Sequence, residues 1–114
     1  MKLLIVGLLL GQMTITSYRS VHRQTDSSPH FTSIGEHVHP HGCAVSQDLL
    51  KKNGGPINYG DFIYIEGYGI KVVNDTMHKR IKKSVDIWVA TYEQEKRIGV
   101  RHRRVWVIKS REEK

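Results

Sequence analysis

Apolar residues in this chain come in short runs rather than at helical spacing. Val, Ile, Tyr and Thr recur in short runs, several of them bounded by Gly, Pro or Asn. Such runs are too short for most helices and suit half-buried strands. Met13 to Tyr18 alternates Met13 and Ile15 against Thr14, Thr16 and Tyr18. Cys43 to Ser46, Phe62 to Glu66, Gly69 to Asn74, Ser84 to Val89 and Val105 to Ile108 read as further strands. One helix breaks the pattern. Thr91 is placed to cap it, Gln94 stands three residues on as the capping-box partner, and Gly99 falls just past its end. The chain of 114 residues, 39% of them hydrophobic, fits one mainly β domain with a modest core.

The two ends and one internal segment read differently. Residues 1–12 join Lys2 to the apolar run Leu3 to Leu10, either the start of a secretory signal or a buried first strand. That run is too short to span a bilayer as a helix. The domain proper is expected over residues 13–109, with 110–114 a frayed charged tail. Arg19 to His41 is polar, with Pro29, Gly35 and Pro40, and reads as a long surface segment.

The formal net charge of +7 favours polyanions: nucleic acid, anionic headgroups or anionic wall polymer. Two basic clusters carry much of it, one from His78 to Lys83 and one from Arg101 to Arg104. Neither has interleaved aromatics or a recognition helix, so nucleic acid is not the expected partner. The single cysteine, Cys43, excludes an internal disulfide and any zinc site that needs two thiolates. His37, His39 and His41 alternate with His30 nearby, but Pro40 interrupts a strand there, and neither a metal nor another cofactor is expected.

The residues that point to chemistry are Asp75 and Asp86, which flank a basic loop at the ends of two strands. Parity in Val85-Asp86-Ile87-Trp88-Val89 turns the aliphatic residues inward and sets Asp86 beside Trp88 on the other face. A carboxyl desolvated beside an indole gains a higher pKa, as a general acid requires, and an indole offers a flat surface for a sugar ring. Two nearby carboxyls resist joint ionisation, which pushes one pKa up further. The structural alternatives are plain. Asp75 followed by Thr76 suits a turn that accepts backbone N–H groups, and Asp86 could pair with Lys82 or Lys83.

In order along the chain, several segments resemble the bacterial "3D" domain, named for three aspartates. Thr14-Ile15-Thr16-Ser17-Tyr18 is similar to its opening strand. Thr25 to Pro29 with Thr32 to Gly35, and Gly42-Cys43-Ala44-Val45-Ser46, are similar to the segments that follow. Ile63 to Gly69, the pair Asp75-Thr76 with Val85-Asp86-Ile87-Trp88, and Val105 to Ile108 complete the series. The resemblance implies a six-stranded double-psi β-barrel related to the catalytic barrel of membrane-bound lytic transglycosylase A and to stationary-phase-survival-type wall enzymes. It implies cleavage of the β-1,4 bond between N-acetylmuramic acid and N-acetylglucosamine, with Asp86 and Asp75 catalytic. Trp88, Ser46, Asp48, Thr76, Thr32 and Tyr18 are the substrate-binding candidates. The expected setting is an exported monomer in the cell envelope, acting on peptidoglycan strands with at most peripheral membrane contact. Ser46 stands where the family has its first aspartate, with Asp48 two residues on, and Met77 replaces the glycine after the Asp-Thr pair. These departures favour a second expectation, a barrel that binds glycan without cutting it.

Overall fold

The computed structural model describes residues 2–19 and 40–113. Among these are six strands and one α-helix: β1 (Lys2–Tyr18), β2 (Gly42–Val45), β3 (Phe62–Ile65), β4 (Gly69–Thr76), β5 (Ser84–Trp88), α1 (Tyr92–Ile98) and β6 (Arg101–Glu113). Two single-turn 3-10 helices, Gln47–Leu49 and Lys51–Asn53, follow β2. The strands lie in the order β1-β5-β2-β4-β3-β6, and β6 pairs back onto β1, so the sheet closes on itself. Two of its pairs are parallel, β1 with β5 and β2 with β4; the others are antiparallel.

Alternation fixes which side chains face inward. Ile15, Val45, Ile63, Ile65, Val85 and Val107 are all fully buried, each the inward residue of its strand. Each aliphatic side chain removed from water contributes about 1.5–3 kcal/mol before entropy is counted. Leu50 and Ile57 close the core from the connection after β2. The turn from β3 to β4 passes through Gly67 and Gly69, both at φ 86°, a backbone region that only glycine enters without strain. The expected capping box is present: the Thr91 side chain accepts from the Gln94 N–H, and the Gln94 side chain accepts from the Thr91 N–H. Gly99, at φ 55°, ends the helix.

Strand boundaries differ from expectation at both ends. β1 begins at Lys2, and β6 continues through residues 110–113 to Glu113, because the two segments pair with each other from Lys2↔Glu113 to Ile15↔Arg101. The apolar run Leu3 to Leu10 is therefore the first half of β1. Its shared ladder with β6 also orders the charged tail that sequence alone left frayed. A register shift between Leu9 and Gly11 makes Leu10 an inserted residue, and Leu10 packs against the core. Ile5, Leu8 and Leu9 remain exposed. Among the described residues no helix is long and apolar enough to cross a membrane.

Candidate functional site

Asp86 lies at the centre of one row of cross-strand neighbours. Thr16 of β1 stands opposite Asp86, Asp86 stands opposite Ala44 of β2, and Ala44 stands opposite Asp75 of β4. Directly opposed residues share a face, so both carboxylates rise from the same side of the sheet. They are two strands apart, roughly 10 Å between their backbones, with Ala44 on the strand between them.

Asp75 reaches that face through a bulge. Cys43 pairs with Val73, but its neighbour Ala44 pairs with Asp75, so Asn74 is the extra residue in β4. Val73 is fully buried, and strict alternation would have turned Asp75 inward after it. The bulge shifts the parity by one and re-aims Asp75 toward Asp86. Asn74 is itself buried, and it fits because Gly42 has no side chain: a Cβ there would lie 2.9 Å from the Asn74 side-chain nitrogen.

Each carboxylate has a hydroxyl partner on β1. The Thr16 hydroxyl donates to Asp86 Oδ1 at 2.8 Å, and the Tyr18 hydroxyl donates to Asp75 Oδ2 at 3.5 Å. The Thr76 N–H donates to Asp75 Oδ1 at 2.9 Å. Asp75 thus makes the backbone contact expected of a turn residue and also faces the second carboxylate. Burial raises the Asp86 carboxyl to about 6, the negative charges of Asp75 and Glu95 add to the rise, and the Thr16 hydrogen bond works against it. Burial also raises the Tyr18 hydroxyl and the Cys43 thiol, so both stay protonated at neutral pH. Cys43 is fully buried, the inert packing thiol expected from its sequence context.

Trp88 follows Asp86 on the same face and stands opposite Tyr18. It lines a cleft of about 260 Å³ with Tyr68, Ile87, Val89 and Ile98, and with the cations Lys71 and Arg97 at its wall. Helix α1 forms one side of this cleft through Gln94, Arg97 and Ile98. The Glu95 carboxylate on the same helix holds Arg19 in an ion pair at 3.1 Å.

Ser46 and Asp48 belong to a different cluster. The fully buried Ser46 accepts the Ser84 N–H on its hydroxyl at 3.0 Å, and Asp48 Oδ2 accepts the Lys83 N–H at 3.1 Å. Burial disfavours the Asp48 charge, but hydrogen bonds from Ser46 and Lys83 outweigh it and lower the carboxyl below its ordinary range. Both side chains therefore fasten the start of β5 rather than face the Asp75–Asp86 row. They also hold Lys83 at φ 44°, the one left-handed non-glycine residue among those described. Thr76 is half-buried at the end of β4 beside Val45. Thr32 and the histidines at 30, 37 and 39 lie outside the described residues, and among the described residues no cluster of metal-ligating side chains occurs. Sequence reasoning missed Thr16 and Ala44, whose roles depend on strand pairing rather than on residue type.

No family model matches the chain, and no curated protein matches it either.

Proposed function

We propose that the chain is a peptidoglycan-cleaving enzyme of the lytic transglycosylase type, built on a double-psi β-barrel of the 3D kind and acting in the cell envelope. The observation that carries this reading is the Asp86 carboxyl, half-buried, raised to about 6 and set in one row with Asp75. The closed six-stranded order with two parallel pairs supports the barrel type. The order of motifs along the chain supports the family.

In this reading Asp86 carries the proton. Protonated Asp86 donates to the glycosidic oxygen as the bond to the muramyl C1 breaks. The resulting carboxylate takes the proton of the muramyl 6-hydroxyl, whose oxygen bonds to C1 and closes a 1,6-anhydro ring. The proton lost in the first half is regained in the second, and no water is consumed. Asp75, held by Tyr18 and the Thr76 N–H, places a negative charge near the cationic centre that develops at C1. Trp88 gives one sugar ring a stacking surface, and Lys71 and Arg97 give anionic substituents a counter-charge. The peptidoglycan strand is the substrate, the chain acts as a monomer, and no metal or cofactor takes part.

Digestion of purified peptidoglycan, followed by mass spectrometry, tests the proposal. Expected are 1,6-anhydromuropeptides, at a rate that falls as pH rises through about 6, the range over which Asp86 loses its proton. Intact peptidoglycan under conditions that keep the protein folded would refute it.

One observation favours a second reading, a glycan-binding barrel without catalysis. Ser46, in the place of the family's first aspartate, is fully buried and committed to the Ser84 N–H. That reading predicts co-sedimentation with peptidoglycan and no soluble product.

A further inference from the structure

β1 is longer than the barrel that it helps to close. β5 lies beside it only along Thr14–Tyr18, and the first backbone bond on that side runs from the Thr14 N–H to the Lys83 carbonyl at 3.0 Å. From Lys2 to Gly11 the neighbouring strand among the described residues is β6, on the other side. The N–H and C=O groups that turn away from β6, about every second residue, therefore have no backbone partner among the described residues. This stretch is a free sheet edge roughly 30 Å long.

Exposed edges are ordinarily protected by charge, by proline or by a covering segment. From Leu3 to Gly11 the sequence holds no charged residue and no proline. Ile5, Leu8 and Leu9 are 68%, 52% and 57% exposed. The bulge at Leu10 lies at the barrel end of the stretch and leaves the outer part regular. The opposite edge of the same ribbon differs. β6 leaves β3 after Ile108 and goes on as Lys109-Ser110-Arg111-Glu112-Glu113, a charged sequence that discourages strand addition. Each chain thus carries one open edge and one protected edge.

We infer that the open edge pairs with the same edge of a second copy, antiparallel about a two-fold axis, and that the assembly closes at two chains. The chemistry of the edge selects this occupant. Hydrocarbon cannot satisfy unpaired N–H and C=O groups, so a bilayer is a poor cover and an extended backbone a good one. That backbone must be apolar and must have an open edge of its own. The first half of β1 is the longest stretch among the described residues that meets both conditions. Antiparallel pairing sets the two Lys2 residues at opposite ends of the seam, whereas parallel pairing would set like charges side by side. One pairing uses both open edges and leaves the charged β6 edges outside, so growth stops at the dimer. The seam lies outside the Thr14–Tyr18 stretch that carries Thr16 and Tyr18. Each barrel therefore keeps a complete site, and the single chain remains the acting unit. The inference uses neither the carboxylates nor the substrate, so it stands or falls separately from the catalytic reading.

A seam of this length belongs to the small, weak class of interfaces, and sedimentation velocity from roughly 1 to 300 μM tests it. The mass should climb from 13.1 kDa toward twice that value and stop there. In Ile5→Lys/Leu9→Lys the half-association point should move to at least tenfold higher concentration, because like charges then meet along the seam. Phe62→Lys/Ile70→Lys changes two residues that are comparably exposed, on β3 and β4, and should shift it less than threefold. Hydrogen exchange on the unmodified chain gives a readout free of substitutions: amides within residues 4–10 should exchange more slowly at the high concentration than at the low one. A mass that stays at 13.1 kDa, growth past the dimer, equal loss in both variants, or a dimer with unchanged exchange over residues 4–10 would overturn the inference.

Discussion

At the residue scale, Asp86 costs the fold stability in exchange for a usable proton. Its carboxyl sits near 6 in the native chain and near 3.9 when unfolded. The native state therefore holds the proton more tightly, and stability falls as pH rises from about 4 through about 6. The loss is at most ~3 kcal/mol at neutral pH. Asp86→Asn should remove that penalty: urea unfolding at pH 7 should show a more stable variant, and the difference should vanish near pH 4. An equal loss of stability at both values would mean that Asp86 is a structural residue. Thr16→Val should act in the opposite sense on the proton. Without the hydroxyl that favours the charged form, the Asp86 titration followed by NMR should move above its native midpoint; an unchanged midpoint would show that the 2.8 Å bond is immaterial.

At the scale of single elements, the β4 bulge decides whether the two carboxylates meet. Adding a methyl at Gly42 places it against Asn74, so Gly42→Ala should cost about 1–3 kcal/mol and disturb the bulge. Asp75 would then lose its place opposite Ala44, and the Asp86 midpoint should fall as the neighbouring charge withdraws. A Gly42→Ala protein with native stability and an unmoved midpoint would contradict this account. Local patterns made much of the element structure legible. Short β-forming runs marked at least part of each of the six strands, and Thr91, Gln94 and Gly99 marked both ends of α1. The bulge was not legible, because an inserted residue is defined by the register of its partner strand and not by its own sequence. The roles of Ser46 and Asp48 were hidden for the same reason: their targets, Ser84 and Lys83, lie more than thirty residues away.

At the scale of the molecule, closure of the sheet separates what is essential from what is appended. β1 keeps β5 along Thr14–Tyr18 and β6 along residues 13–15, whatever happens to Lys2–Leu10. A chain that starts at Gln12 should therefore still unfold cooperatively, with a loss of about 1–2 kcal/mol for the partly buried Leu10. It should also shed the exposed Ile5, Leu8 and Leu9. Loss of cooperative unfolding would show that the extended β1–β6 ladder is integral. The continuous apolar run at Leu3–Leu10 has no alternation, so the sequence favoured a leader, with a buried strand as the alternative; β6, a distant segment, supplies the pairing that makes it a strand. The Asp75–Asp86 pair could be named from residue type and position, but its shared face needed the row through Ala44.

The central claim is that Asp86, facing Asp75 across Ala44, transfers a proton to a glycosidic bond. The direct measurement is the product spectrum from purified peptidoglycan treated with the native chain and with Asp86→Asn. The account predicts 1,6-anhydromuropeptides from the native chain and a loss of at least a hundredfold in the variant, which should remain folded and more stable at pH 7. Equal products from both proteins, or none from either, would contradict it.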